Sequence, residues 1–264
     1  MKIIFVLVSI LASVAGSICG IGGGIIIKPV MDAFNIYSAS TISFMSGIIV
    51  LCMTIYSLVH AKVTHCCHID KKHTPLLAVG AAIGGIAGKI IFDVIKEVTG
   101  CEENVRFVQS IVLMLLTCFT LIYNINKSKV HTRNLNGPVY CILLGLMLGA
   151  LSSFLGIGGG PINLVILHYF FSMESKEAAQ NSLFIILLSQ AANLLYTIIF
   201  STVPYFPVVL LIIMACGGVL GGIIGQAVNK RISCQTVDKL FSAMMGLIIL
   251  ICIYNAVRSF IVIS

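Results

Sequence analysis

The sequence predicts an all-α, polytopic integral membrane protein built from two homologous four-segment repeats. Three observations predict it: a charge-poor composition, apolar runs of membrane-spanning length, and a five-residue glycine cluster that occurs twice. Of 264 residues, 59% are hydrophobic and 9% charged, with a mean hydropathy of +1.10. Soluble domains carry about 25% charged residues, so this chain has too little polar surface to cover a globule in water. The formal net charge of +7 is spread over short loops, which makes it a topology signal rather than a nucleic-acid surface. Of the ten cysteines, Cys19, Cys52, Cys118, Cys141, Cys216 and Cys252 lie inside apolar runs. Cysteine there is a small packing residue, not part of a disulfide framework.

About 20 apolar residues span a hydrocarbon core, which places ordinary spans at roughly 38–60, 76–95, 105–125, 178–200, 205–228 and 237–262. Two further runs, 1–34 and 138–171, are too long for one span. Each is interrupted near its middle, by Gly20-Ile21-Gly22-Gly23-Gly24 and by Gly156-Ile157-Gly158-Gly159-Gly160. Glycine at that density weakens a helix and permits turns with positive φ. Each run is therefore expected to be a helix, a break and a shorter half-helix, the half-helices starting near Ile25 and Pro161. Proline suits the first helical position because the amide it lacks is unbonded there anyway.

The two breaks share an internal spacing. Further on, Gly84-Gly85-Ile86-Ala87-Gly88 answers Gly221-Gly222-Ile223-Ile224-Gly225, and Tyr123-Asn124 answers Tyr254-Asn255. Three matches in the same order predict a duplication: repeats at 1–125 and 138–264, joined by a basic cytoplasmic linker at 126–137. Loop charge then tests topology. If each broken segment crosses once, basic residues divide almost evenly between the two sides. If each enters and returns, ten from Lys62 to Lys239 share one side and only Lys2, Lys96 and Arg106 oppose them. The positive-inside rule favours the second arrangement. Each repeat then crosses three times, and the halves are inverted relative to one another.

Helix breaks persist in a bilayer only where protein or a wet cavity satisfies the released backbone. Paired breaks at equivalent positions in two halves mark a transporter's binding site, and half-helix N-termini carry partial positive charge and free N–H donors, so the expected ligand is a small anion. Candidate binding residues are Gly20, Gly22, Gly23 and Gly24 with Gly156, Gly158, Gly159 and Gly160. Close helix packing is the alternative use of membrane glycine. On the following helices, Ser43, Ser46, Thr54 and Ser57 share one face, as do Ser182, Ser189, Asn193 and Tyr196. Ser43, Ser182, Ser189 and Asn193 are candidate oxyanion donors, with bonding to neighbouring helices as the alternative. Asn163, just after Pro161, is a neutral candidate near the second break. Lys28, four residues past the first break, is a candidate because an ammonium in an apolar run is expensive; snorkelling, or pairing with Asp32 at i+4, is the structural alternative. Lys89 and Asp93 form a similar pair near the end of a span, where a structural role is expected. The loop carrying His65, Cys66, Cys67, His68 and His73 matches no standard metal site, because adjacent cysteines chelate one ion awkwardly. No metal or cofactor is expected, and no nucleotide motif follows either glycine cluster.

The two breaks, the first followed by Pro29 and the second by Pro161-Ile162-Asn163, resemble the repeated motif of the sulfite exporter TauE/SafE family. The resemblance extends to chain length, duplicated four-segment halves, the glycine pattern of each half's third segment and the charged linker. In the second break proline follows the glycines directly, with Val165 opposite Pro29. The resemblance implies secondary transport of a small anion, often sulfur-containing, such as sulfite, thiosulfate or an organosulfonate. The expectation is a multi-pass inner-membrane carrier working by alternating access, its partners being the anion, the bilayer and a coupling proton or cation. An anion channel of the same architecture is the rival. An enzyme is not expected, because the apolar runs hold no histidine pair or carboxylate dyad.

Overall fold

A computed structural model of the chain describes residues 2–64, 69–99, 102–135, 137–200 and 203–263. The described residues form ten α-helices: α1 Lys2–Cys19, α2 Gly24–Phe34, α3 Ala39–Val63, α4 Thr74–Thr99, α5 Glu102–Asn126, α6 Pro138–Leu155, α7 Pro161–Phe171, α8 Ser175–Phe200, α9 Val208–Arg231 and α10 Cys234–Ile263. Seven of them, α3 to α6 and α8 to α10, are long and apolar enough to cross a bilayer. Large apolar side chains such as Leu115, Phe119, Val209 and Leu250 point outward, each more than half exposed. That outer surface suits lipid. The protein is a multi-pass membrane protein.

Both long runs break where the glycines stand. Gly20 and Gly22 have φ of 74° and 73°, and Gly156 and Gly158 have φ of 65° and 77°, values that disfavour any side chain. The turns then diverge. Gly159 takes φ 146°, and α7 starts on Pro161, one position later in register than α2. Proline's fixed φ and missing N–H make it a natural first helical residue and set that start.

After its break, the first run doubles back. A Cβ on Gly23 would lie 3.1 Å from Ser13 Oγ, and one on Gly16 would lie 2.5 Å from Gly23 N. At the far end of α2, the Phe34 ring meets Phe5 edge-on, with centroids 5.3 Å apart. α1 and α2 are thus an antiparallel hairpin, and the chain leaves it at the end where α1 began.

Helix ends gather at two ends of the bundle. At one, called upper here, Lys96 Nζ donates to Ser40 Oγ at 2.9 Å, Thr41 Oγ1 to the Tyr205 carbonyl at 2.9 Å, and Arg258 to the Ala33 carbonyl. At the lower end, the Asp70 amide donates to Asn181 Oδ1 at 2.9 Å and Lys127 Nζ to Ser175 Oγ at 2.6 Å. The linker is pinned there too, with the Arg133 amide bonded to the Tyr169 carbonyl at 2.7 Å.

Glycine stripes bring the long helices into backbone contact. α4 lies on α6, where a Cβ on Gly84 would sit 2.0 Å from the Leu146 carbonyl oxygen. α9 lies on α1, where a Cβ on Gly221 would sit 2.5 Å from the Ile10 carbonyl oxygen. α3 and α8 cross near the centre, and α5 packs along α10.

Candidate functional site

The two breaks meet. A Cβ on Gly24 would lie 2.1 Å from the carbonyl oxygen of Ile157, so the start of α2 touches the middle of the second break. Each break is also held by the opposite half. Gly20 packs on Ala179 of α8, while Gly156 packs on Ser43 of α3. Ser46 Oγ donates to the Gly156 carbonyl at 2.9 Å. Val50 of α3 lies beside both Gly22 and Gly158, and Ile186 of α8 beside both Gly22 and Gly159. Neither half-helix has a side-chain cap: Gly23 and Gly160 stand at the N-cap positions. Donors in both first turns therefore have no side-chain acceptor.

A cavity of about 700 Å³ opens from the upper end and ends at this junction. Its mouth lies among Ser38, Lys96, Phe200 and Pro204; its floor is Gly47, Ser153, Gly156 and Gln190. Lys89 and Asp93 form an ion pair on its wall at 2.8 Å. Ser153 Oγ, Ser189 Oγ and Asn193 Oδ1 are buried atoms with no hydrogen-bond partner among the described residues. Ser153 and Asn193 line the cavity, and the Ser153 and Ser189 hydroxyls would lie 3.3 and 3.0 Å from a Cβ on Gly85. Unsatisfied buried polar groups are uncommon, and three around one floor make it a polar seat without a fixed occupant.

The expected residues divide into three sets, with Lys28 apart from them. Ser43, Gly156 and Asn193 line the cavity, and Ser189 stands beside its floor. Gly22, Gly23, Gly24, Gly158, Gly159 and Gly160 form the buried junction below. Gly20 is pressed against the α8 backbone, and Asn163 and Ser182 form a buried pair at 3.4 Å; none of these three reaches the cavity. Lys28 is 2% exposed, which rules out snorkelling. Its ammonium donates to Gln109 Oε1 at 2.9 Å and Ser43 Oγ at 3.1 Å, and lies 3.6 Å from Asp32. It stands directly behind the cavity wall.

Sequence reasoning missed Gln190, Ser153 and Gln109 and assigned Lys89 and Asp93 to structure alone, whereas these two stand on the cavity wall. A glutamine in the middle of an apolar run was a usable signal, because such a group is costly in lipid unless it faces protein or a cavity. The cluster His65, Cys66, Cys67 and His68 lies outside the described residues. His73 is described, and its ring is bonded to Asp70.

The sequence profile of the family described as "Sulfite exporter TauE/SafE" matches residues 5–252. The chain belongs to that family. It is also 24% identical over 277 residues to the "Probable membrane transporter protein YunE" of Bacillus subtilis (strain 168), a match covering 97% of this chain and 99% of that protein. No solved structure matches the chain. As a family member it is a membrane transporter, not an enzyme.

Proposed function

We propose that this TauE/SafE family member is a secondary carrier of a small sulfur-containing oxyanion, which binds where the cavity meets the two glycine breaks. The observation that carries this reading is the cavity floor. A wide cavity ends on Gly156, beside the unpartnered Ser153 hydroxyl and the side-chain amide of Asn193 and above the contact between Gly24 and Ile157. An oxyanion there accepts from hydroxyl and amide groups and lies near two uncapped helix N-termini. Neutral donors bind an anion without holding it too tightly to leave.

The proposal includes two inverted repeats that alternately open the site. Its support is that long-range contacts occur in matched pairs. Gly84 meets Leu146 as Gly221 meets Ile10, and Gly156 meets Ser43 as Gly20 meets Ala179. The α1–α2 hairpin returns to its own side, which gives three crossings per half. The ten basic loop residues then fall at the lower end, which is cytoplasmic by the positive-inside rule. Among the described residues the cavity's lining reaches Gly47, Gly156 and Gln190 and includes none of the lower-end loops, which favours a carrier over a channel.

The test is uptake of radiolabelled sulfite, thiosulfate and organosulfonates into proteoliposomes, with Asn193→Leu as a filled-cavity control. Saturable uptake that falls at least about tenfold in the variant is expected. Non-saturating currents in electrical recordings would establish a channel instead.

A further inference from the structure

An ion pair buried in a re-entrant half-helix needs a reason, because two apolar residues of similar volume are usually at least as stable. Lys28 and Asp32 stand one turn apart on α2, and they are not a closed pair. Asp32 Oδ2 is 3.6 Å from Lys28 Nζ, and its Oδ1, also buried, has no partner among the described residues. The ammonium is held instead by Gln109 and Ser43. Gln109 is itself fixed, since its Nε2 donates to the Phe154 carbonyl at 2.6 Å. Ser43 is a cavity-wall residue, so a single side chain separates the ammonium from the cavity.

Two voids of about 10 Å³ each flank Asp32. One lies among Lys28, Gln109 and Asn255; the other extends toward the upper end among Glu103, Arg106 and Arg258. A void of roughly that size is at the lower limit for holding one water, and a water in each would link the upper end to the free carboxylate oxygen. The groups facing Asp32 are Lys28 on its own helix, Glu103 and Arg106 on α5, and Arg258 with Cys252 nearby on α10; Lys89 of α4 lies across the cavity.

We propose that Lys28 and Asp32 form a proton-binding site coupled to the anion site, a step that rests on the carrier reading above. A proton arriving from the upper side bonds to Asp32 Oδ1 and converts the carboxylate to the neutral acid. Lys28 keeps its own proton, and its charge is then uncompensated behind Ser43. That added positive charge strengthens anion binding in the cavity, and by linkage the bound anion strengthens proton binding by the same factor. Proton and anion therefore cross together. The equivalent positions in the second half are Leu164 and His168, so the device exists once per chain and moves one proton per cycle.

The experiment uses proteoliposomes with a trapped pH dye and thiosulfate, whose charge is constant near neutral pH. Wild-type protein is expected to move protons in the same direction as the anion. An inward proton gradient should accelerate uptake by about tenfold. Asp32→Asn should lose both effects while thiosulfate exchange at equal pH continues, and Asp32→Glu should retain proton movement with an altered pH profile. Proton flux persisting in Asp32→Asn, or absent from wild-type protein that exchanges thiosulfate, overturns the proposal. If Asp32→Asn does not assemble, an Asp32→Glu profile identical to wild type overturns it. Absence of wild-type exchange with thiosulfate, sulfite and organosulfonates alike defeats the carrier reading, and this proposal with it.

Discussion

A glycine facing small polar side chains occurs at two places in the bundle, with different outcomes. Near the upper end, Gly85 faces Ser153 and Ser189, with Asn193 one helical turn beyond, and the groups surround an open cavity of about 700 Å³. Near the lower end, Gly222 faces Ser17 and Ser57. There Ser17 Oγ and Ser57 Oγ are 3.3 Å apart, the Ser17 hydroxyl also reaches the Gly222 carbonyl at 3.4 Å, and the chain is closed. A void toward the lower end, beside Cys19 and His168, holds only about 20 Å³. In the proposed duplication Gly85, Ser153 and Asn193 answer Gly222, Ser17 and Ser57, whereas Met53 stands opposite Ser189. The difference teaches that similar polar groups are exposed in a cavity at one end and packed against each other at the other, the asymmetry that the proposed carrier reading needs.

The largest effect that would break this comparison is expected at the junction shared by both clusters. Gly24→Leu drives a side chain into the Ile157 carbonyl, which a Cβ alone would approach to 2.1 Å. Backbone cannot yield cheaply there, and overpacking costs about 1–3 kcal/mol or more. Transport should be lost and the thermal unfolding temperature should fall; unchanged values for both would remove the junction from the mechanism.

Accessibility sharpens the comparison next. In a background freed of the ten native cysteines, Ser153→Cys should react with a membrane-impermeant thiol reagent added at the upper side. Ser17→Cys should be protected from reagent on either side. A difference of at least about tenfold in rate is expected for a site closed by packing. Equal rates would mean that the two ends do not differ.

A smaller effect is expected from loosening the closed cluster. Ser17→Ala with Ser57→Ala removes the Ser17–Ser57 and Ser17–Gly222 hydrogen bonds, both long and each worth at most about 0.5–1.5 kcal/mol. The population open at the lower end should rise about two- to tenfold, read as faster labelling of a lower-side reporter cysteine. No change would assign closure to the surrounding apolar packing.

The smallest effect lies on the turn that caps the lower end. Burial alone would raise the Asp70 carboxyl, but the His73 ring and the Lys72 amide hold it below its ordinary 3.8. A carboxyl whose folded pKa is depressed stabilises the fold above its unfolded pKa and loses that contribution as pH falls through the folded value. Asp70→Asn should therefore slightly lower the unfolding temperature near neutral pH. That difference should begin to shrink below about pH 4 and be gone once pH has fallen through the depressed folded value. A difference independent of pH would assign the effect to packing instead.

Much of the fold was legible in the chain because its signals are local. Apolar run lengths gave the spans to within a few residues: 38–60 was expected and Ala39–Val63 is observed, and 178–200 was expected where Ser175–Phe200 stands. The site was only partly legible. Ser43 and Asn193, which line the cavity, stood out in the sequence because polar groups at helical spacing in an apolar run are conspicuous. Ser153 was missed because it sits beside Ser152 in the last turn of α6, where serine is ordinary.

By itself the sequence determined the solvent, the helices and the places where they break, since composition, run length and glycine's backbone freedom act over a few residues. It also placed the basic loops. Only tertiary structure decided that Gly156 floors a cavity while Gly20 is sealed against Ala179, and that Lys28 is gripped by Gln109 across 81 positions of sequence. Those outcomes depend on which helices lie side by side. Close packing settles that jointly for the whole bundle, and no local pattern encodes it.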